Sequence, residues 1–304
     1  MPAGTPRRVA QPVTYNKAMT SGTETIERPD RRVTLRDWRK WAEAGQRFAM
    51  LTCYDATTAK WLWRGGVSSF LVGDTAAQLI LGHDSTLPAK MPFMLELTAA
   101  VRRGAPHALV MADMPFGSYQ VDEGEAARNA IAFMQDAGAD CVKLEVDGSH
   151  ATLVEKLALA GVPVVAHLGS RPQRVRVDGG YKAAGRDKRE ADVLVDTAQL
   201  MIAMGATALL VEAVPDEVSR RIVEKARHPR TGERIPVVGC GAGPGCDGHV
   251  VVLQDVMGMS DWQPPFAPPL AQLGPAIRDA ASKWSKQVEE RQYLADGGVY
   301  RVKE

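Results

Sequence analysis

Short, continuously apolar runs recur along this chain, and five of them carry a titratable side chain at or near their carboxyl end: Asp74, Asp113, Glu145, His167 and Glu212. FAMLTC (48–53), SFLVGD (69–74), HALVMAD (107–113), DCVKLE (140–145), PVVAHL (163–168), ALLVEAV (208–214), PVVGCGAG (236–243) and a weaker HVVVLQDV (249–256) read as strands. They do not alternate apolar with polar residues, which is the pattern of parallel strands covered on both faces. Segments 55–65, 91–103, 122–137, 150–160, 190–204, 215–227 and 274–291 predict the intervening helices. Gly138 and Gly205, in DAGAD and AMGAT, stand where helices should stop before the next strand. The alternation predicts an α/β fold, a single (β/α)8 TIM barrel over residues 31–304 with a C-terminal helix. A doubly wound sheet fits less well: no glycine-rich dinucleotide fingerprint follows the first strand, and GCGAGPG comes late without the acidic residue such a site uses.

Two connections are longer than plain connectors. Residues 169–189 are basic and glycine-rich, residues 257–272 are proline-rich, and on the catalytic face of a barrel both would be substrate walls or lids. Residues 1–30 lack the apolar block of a signal sequence and read as a disordered tail, with an arm on a neighbouring subunit as the alternative.

Charge narrows the partners. Lys plus Arg (37) balance Asp plus Glu (36), and a net charge of +1 gives no global electrostatic case for nucleic acid or a membrane surface. No apolar stretch approaches the roughly 20 residues of a membrane span, so the expected partner is a small molecule. Cys53, Cys141, Cys240 and Cys246 sit mostly in apolar runs without metal-site or disulfide spacing, as reduced packing residues of a cytoplasmic protein would.

In a parallel β/α barrel the carboxyl ends of the strands converge on one face, so these end residues would meet. Asp74, Asp113 and Glu145 end successive strands and could share a hard cation such as Mg²⁺, although a lone acid after a strand is equally a helix cap. With Lys143 beside it, such a cation suits a 2-oxo acid, whose ketone and carboxylate oxygens chelate metal and whose adjacent carbon becomes more acidic. Glu212, across the mouth, is a candidate base for that carbon. His167 reads either as a packed imidazole or as a hydrogen-bonding partner of the substrate.

VGDT (72–75), GHDSTLP (82–88), AVRRGAP (100–106), ADMPFGSY (112–119), AGADCVKLE (137–145), AHLG (166–169), RPQ (171–173), GGYKAAGR (179–186), LLVEAVP (209–215) and GCGAGPGCDG (239–248) occur in this order. Together they resemble the ketopantoate hydroxymethyltransferase family. The resemblance implies a barrel of the phosphoenolpyruvate mutase/isocitrate lyase superfamily, Mg²⁺, and a homo-oligomer, usually a decamer. It also implies transfer of a hydroxymethyl group from 5,10-methylenetetrahydrofolate to 3-methyl-2-oxobutanoate, giving 2-dehydropantoate for pantothenate and coenzyme A synthesis. Matched by motif, Asp74 and Asp113 would be metal ligands and Glu145 would complete the metal site. Asp74, Thr75, Asp113 and Lys143 would contact the 2-oxo acid, His167 would lie nearby, and Glu212 would accept the proton.

The chain departs from the family pattern at several points. Thr75 replaces the usual Ser, Val146-Asp147 the usual Gly-Gly, and Leu97-Thr98 a His-Thr pair; the lysine of a PKF signature is missing at Pro265-Phe266, and the C-terminal FP…HSF signature is absent. These changes leave open a paralogue that uses the same metal–enolate core on another 2-oxo acid or as a carbon–carbon lyase. A catalytically silent scaffold is the remaining alternative.

Overall fold

The computed structural model describes residues 31–294. The tail expected over residues 1–30 and the stretch 295–304 lie outside them. The strands are β1 Phe48–Thr52, β2 Ser69–Val72, β3 Leu109–Asp113, β4 Cys141–Glu145, β5 Val164–Gly169, β6 Ala208–Glu212, β7 Val237–Cys240 and β8 Gly248–Val251, and they form one closed parallel barrel in sequence order. The helices are α1 Leu35–Glu43, α2 Ala56–Arg64, α3 Ala76–Leu79, α4 Met91–Gly104, α5 Glu123–Gln135, α6 Ala151–Leu159, α7 Val175–Asp178, α8 Lys188–Ala203, α9 Asp216–Lys225, α10 Leu253–Val256 and α11 Leu273–Glu289. Gly138 and Gly205 take φ of +72° and +98° just past α5 and α8, the left-handed stops read from the sequence.

The strand period of two divides the apolar residues into two layers. Phe70, Val72, Val110, Val142, Ala166 and Val211 face outward into the layer shared with the helices. Phe48, Met50, Leu71, Leu109, Met111, Cys141, Val165, Leu210 and Val238 fill the lumen. Continued toward the carboxyl ends, the lumen series arrives at Asp113, Lys143, Glu145, His167, Glu212 and Cys240. The apolar floor and the polar mouth are therefore one alternation read along each strand.

Helix α1 closes the opposite end and was not foreseen. It is short, and its tryptophans are separated by charged residues, so it lacks a long apolar run. Trp38 stacks on Phe48 with ring centroids 4.7 Å apart, and its indole N–H donates to Ser69 Oγ at 2.9 Å. The eighth strand also needs correction: it spans only Gly248–Val251, and the LQDV of the predicted run is α10, whose first N–H is taken by the Thr52 hydroxyl. The seventh ends at Cys240, because Gly241 and Gly243 turn the chain at φ of +61° and +73°.

One glycine fixes the approach of two catalytic-face strands. Gly169 has φ of +100°, and a Cβ there would stand 2.2 Å from the Glu212 carbonyl oxygen and 2.9 Å from Val214 Cγ1. Gly169→Ala is expected to destabilise the barrel by about 2–4 kcal/mol, from left-handed strain plus overpacking, and to displace Glu212. A urea midpoint and turnover equal to those of the unaltered chain would contradict this.

Candidate active site

The site grows from the register of three adjacent strand pairs: Asp113 opposite Lys143, Glu145 opposite His167, and Gly169 opposite Glu212. Lys143 Nζ lies 2.9 Å from Asp113 Oδ1 and 3.2 Å from His167 Nδ1. His167 Nε2 in turn lies 3.2 Å from Glu212 Oε2, close but not aligned for a hydrogen bond. Asp113, Lys143 and His167 are buried, whereas the Glu212 side chain is 26% exposed and opens to the mouth.

Protonation follows from this chain of contacts. Burial alone would pull Lys143 down, but Asp113, Asp74 and Glu145 more than offset it and hold the ammonium well above its ordinary range. Burial, then the neighbouring Lys143 charge, depresses His167, so its imidazole is neutral. Facing an ammonium, Nδ1 must accept, which leaves the proton on Nε2 directed toward Glu212.

Asp74 lies two residues beyond the end of β2 rather than on it. Its N–H donates to Asp113 Oδ2 at 3.0 Å, and its Oδ2 accepts from Gln173 Nε2 at 2.8 Å. Burial, reinforced by Asp113, pushes its carboxyl up to about 7. Glu145 is pushed up to about 9 by burial, against the opposing pull of Lys143, and both of its oxygens accept from the Gln173 N–H at 3.2 and 3.1 Å. Thr75 is half-buried at the start of α3, and its hydroxyl flanks Gly73 together with Asp113 Oδ2.

Asp74 and Asp113 are directly linked, but Glu145 is engaged by Gln173, and among the described residues no three His, Cys, Asp or Glu side chains stand close enough together to hold a metal ion. The chemistry of the set still fits one. Four carboxylates (Asp74, Asp113, Glu145 and Glu212) gather around one ammonium, which is paired with Asp113 Oδ1. An all-oxygen donor set with this excess of negative charge suits a hard divalent cation.

Three residues of the site went unnoticed in the sequence. Tyr119 donates to Gln173 Oε1 at 2.8 Å and accepts from the Glu145 N–H at 3.1 Å. Gln173 itself comes from the long loop after β5, which thus borders the site as expected; Tyr181, farther along, lies close enough to feel the Asp74 charge. Tyr54 continues the lumen series of β1 past Thr52; it is buried, close enough to Asp113 and Asp74 to feel their charge, and its hydroxyl has no hydrogen-bond partner. Period-two counting from Met50 and Thr52 is the signal that would have found it.

Fold and site together define an enzyme-like barrel of one structural class. A phosphonopyruvate hydrolase solved with oxalate and Mg²⁺ aligns with a TM-score of 0.57 at 13% identity, over 89% of this chain and 93% of that one. A 2,3-dimethylmalate lyase, described as a phosphoenolpyruvate mutase/isocitrate lyase superfamily member, aligns with a TM-score of 0.55 at 17% identity, over 84% and 88%. At such identities the likeness is one of fold. Sequence is more specific: residues 32–296 match the family model for ketopantoate hydroxymethyltransferase. The 3-methyl-2-oxobutanoate hydroxymethyltransferase of Carboxydothermus hydrogenoformans is 40% identical over 263 residues, covering 86% of this chain and 93% of that protein. The protein of the same name from Ignicoccus hospitalis is 38% identical over 267 residues, covering 88% and 98%. The chain belongs to the ketopantoate hydroxymethyltransferase family.

Proposed function

We propose that this chain transfers a hydroxymethyl group from 5,10-methylenetetrahydrofolate to 3-methyl-2-oxobutanoate, giving 2-dehydropantoate, with Mg²⁺ held by Asp74 and Asp113 and completed by Glu145. The observation that carries the reading is the line Asp113–Lys143–His167–Glu212, which runs from the acid pair to a half-open carboxylate. Bound Mg²⁺ would supply Lewis-acid polarisation of the ketone. Lys143 binds the substrate carboxylate as a fixed cation, and Thr75 offers a hydroxyl at the same rim. Glu212 takes the C3 proton, and the neutral His167, whose Nε2 lies 3.2 Å from Glu212 Oε2, does not compete for it. One water adds to the methylene carbon of the folate, whose two C–N bonds break to release tetrahydrofolate and a formaldehyde-level unit; the C3 carbon forms its new C–C bond to that unit, and the proton held by Glu212 returns to the resulting alkoxide, so the hydroxymethyl oxygen comes from water. The direct test is exchange of the C3 proton into deuterated water: it should depend on Mg²⁺ and stop with a chelator. Exchange indifferent to chelation would remove the cation from the reading.

Two further results are expected. Tyr54→Phe deletes a buried hydroxyl that has no well-formed hydrogen bond in the fold. Thermal stability should therefore hold or rise, while KM for the 2-oxo acid increases about 3–10-fold, one lost hydrogen bond. A lowered midpoint with native KM would make the tyrosine purely structural.

The second concerns pH. Asp74 and Glu145 have folded pKa values raised to about 7 and about 9, above the roughly 4 of the unfolded chain. Their contribution to stability is full below about pH 4 and is lost as pH rises through about 7 and then about 9. Mg²⁺ pairs with the ionised forms, so its stabilising shift in Tm should be larger at about pH 9 than at about pH 6. Equal shifts at both would contradict the assignment.

The exposed apolar residues Ile277, Trp284 and Val288 on α11 support a homo-oligomer, a decamer by family resemblance. No described helix is long and apolar enough to cross a membrane. The four free cysteines fit a cytoplasmic setting.

A further inference from the structure

Gln173 takes no part in the proton path, yet its side-chain amide and its backbone N–H are all committed beside the acids. Its side chain is buried, with Nε2 donating to Asp74 Oδ2 at 2.8 Å and to the Met114 carbonyl at 3.0 Å. Its Oε1 accepts from Tyr119 Oη and from Gln120 Nε2, both at 2.8 Å. Its backbone N–H reaches both oxygens of Glu145. The amide has only one orientation compatible with this set, because a flipped amide would turn its oxygen toward the oxygens of Asp74 and Met114. Tyr119 and Gln120 therefore decide how Gln173 meets Asp74.

The residue sits in a single 3-10 turn, Pro172–Arg174, in the loop after β5. Two positions earlier Arg171 pairs with Asp147 at 2.6 Å, and Asp147 is one of the residues at which this chain departs from its family. The turn is thus tied at one end to the loop after β4 and at the other to Glu145 at the end of β4 and Asp74 just beyond β2.

We infer that Gln173 is a positioning residue for the cation site: it orients Asp74 and Glu145, so that seating of the 172–174 turn and binding of a divalent cation are one coupled event. The inference rests on the Mg²⁺ reading above. Coupling of this kind is reciprocal: a cation that fixes the two acids must hold the turn, and loosening the turn must weaken the cation. A merely structural glutamine would lower stability without changing metal affinity in the folded protein.

Mg²⁺ binding to the full chain, followed by titration calorimetry, separates the two roles. Gln173→Met keeps length and packing but makes no hydrogen bonds, and it should weaken Mg²⁺ binding by about 10–100-fold, the usual effect of removing an outer partner of a metal ligand. Tyr119→Phe removes one of the two donors to the amide oxygen together with the hydroxyl that meets the Glu145 N–H, leaves the Gln173 contacts to Asp74 and Glu145 in place, and should shift affinity in the same direction by less. In both variants excess Mg²⁺ should restore kcat, and Mg²⁺ should slow hydrogen exchange over 171–178 in the unaltered chain but not in Gln173→Met. A folded variant with native Mg²⁺ affinity, or a loss of turnover that excess Mg²⁺ leaves in place, overturns the inference. Where Gln173→Met does not fold, Tyr119→Phe carries the same decision. An unaltered chain that takes up no Mg²⁺ removes the underlying reading, and this inference with it.

Discussion

Glu212→Gln is expected to slow exchange of the C3 proton of 3-methyl-2-oxobutanoate by about 10²–10⁴, the usual range for a lost general base, while the barrel stays folded. The substitution keeps the shape and a hydrogen-bonding oxygen toward His167 Nε2, 3.2 Å away, and removes only the basicity. Because the Glu212 side chain is 26% exposed and reaches no cation other than through His167, the change should leave Mg²⁺ and substrate affinity close to native. The contrast between a collapsed kcat and a preserved KM is the diagnostic result. Native exchange together with absent product would move Glu212 to the folate half of the reaction and send the search for the base to His167.

Asp113→Asn should be the more damaging change. Asp113 does two things at once: its Oδ1 faces Lys143 Nζ at 2.9 Å, and its Oδ2 accepts the Asp74 N–H at 3.0 Å. Asparagine can keep the second contact but leaves a buried ammonium without its nearest carboxylate, which costs about 3–5 kcal/mol when such a pair is broken. It also removes half of the acid pair proposed to hold Mg²⁺. Turnover should fall by at least about 10²–10³, the loss typical of deleting one electrostatic contributor in a closed site, and Mg²⁺ should no longer raise Tm. Steady-state kinetics and thermal melts with and without Mg²⁺ check both halves. A variant that keeps Mg²⁺-dependent stabilisation would remove Asp113 from the cation site.

The barrel was legible because its strands are continuous apolar runs, a local signal that tertiary context does not reverse. Asp113, Lys143, Glu145, His167 and Glu212 were legible for the same reason: each stands on the lumen side of a strand whose earlier members are apolar, whereas Asp74 stands past the end of β2. What escaped lies where periodicity stops. Gln173 occupies a loop, where no repeating pattern says which way a side chain points, Tyr119 matters through hydrogen bonds to residues distant in sequence, and Tyr54 lies just past the apolar run of β1, where only the continued count of two would have found it. Helix α1 escaped because two tryptophans, not a stripe, fasten it to the barrel floor. The β8 boundary was misread because apolarity continues from the strand into α10, and a run of that kind does not reveal where the backbone changes conformation.

The departures from the family pattern also acquire physical content. Asp147, in place of a glycine, is taken up by Arg171, Ser149 and His150 rather than by the acid cluster, and Arg171 with these bonds holds its carboxyl low despite partial burial. Phe266, where a lysine is missing nearby, packs beside Gly241 at the end of β7. Neither change touches the line from Asp113 to Glu212.

The central claim is that this line and the acid pair together make a hydroxymethyltransferase. It is tested most directly by supplying 3-methyl-2-oxobutanoate and 5,10-methylenetetrahydrofolate labelled with carbon-13 in the transferred carbon, and following the label by NMR. The account predicts that the label appears in the hydroxymethyl group of 2-dehydropantoate, that it does so only with Mg²⁺ present, and that Glu212→Gln suppresses it. Proton exchange at C3 without any labelled product, or faster label transfer to a different 2-oxo acid, would contradict it.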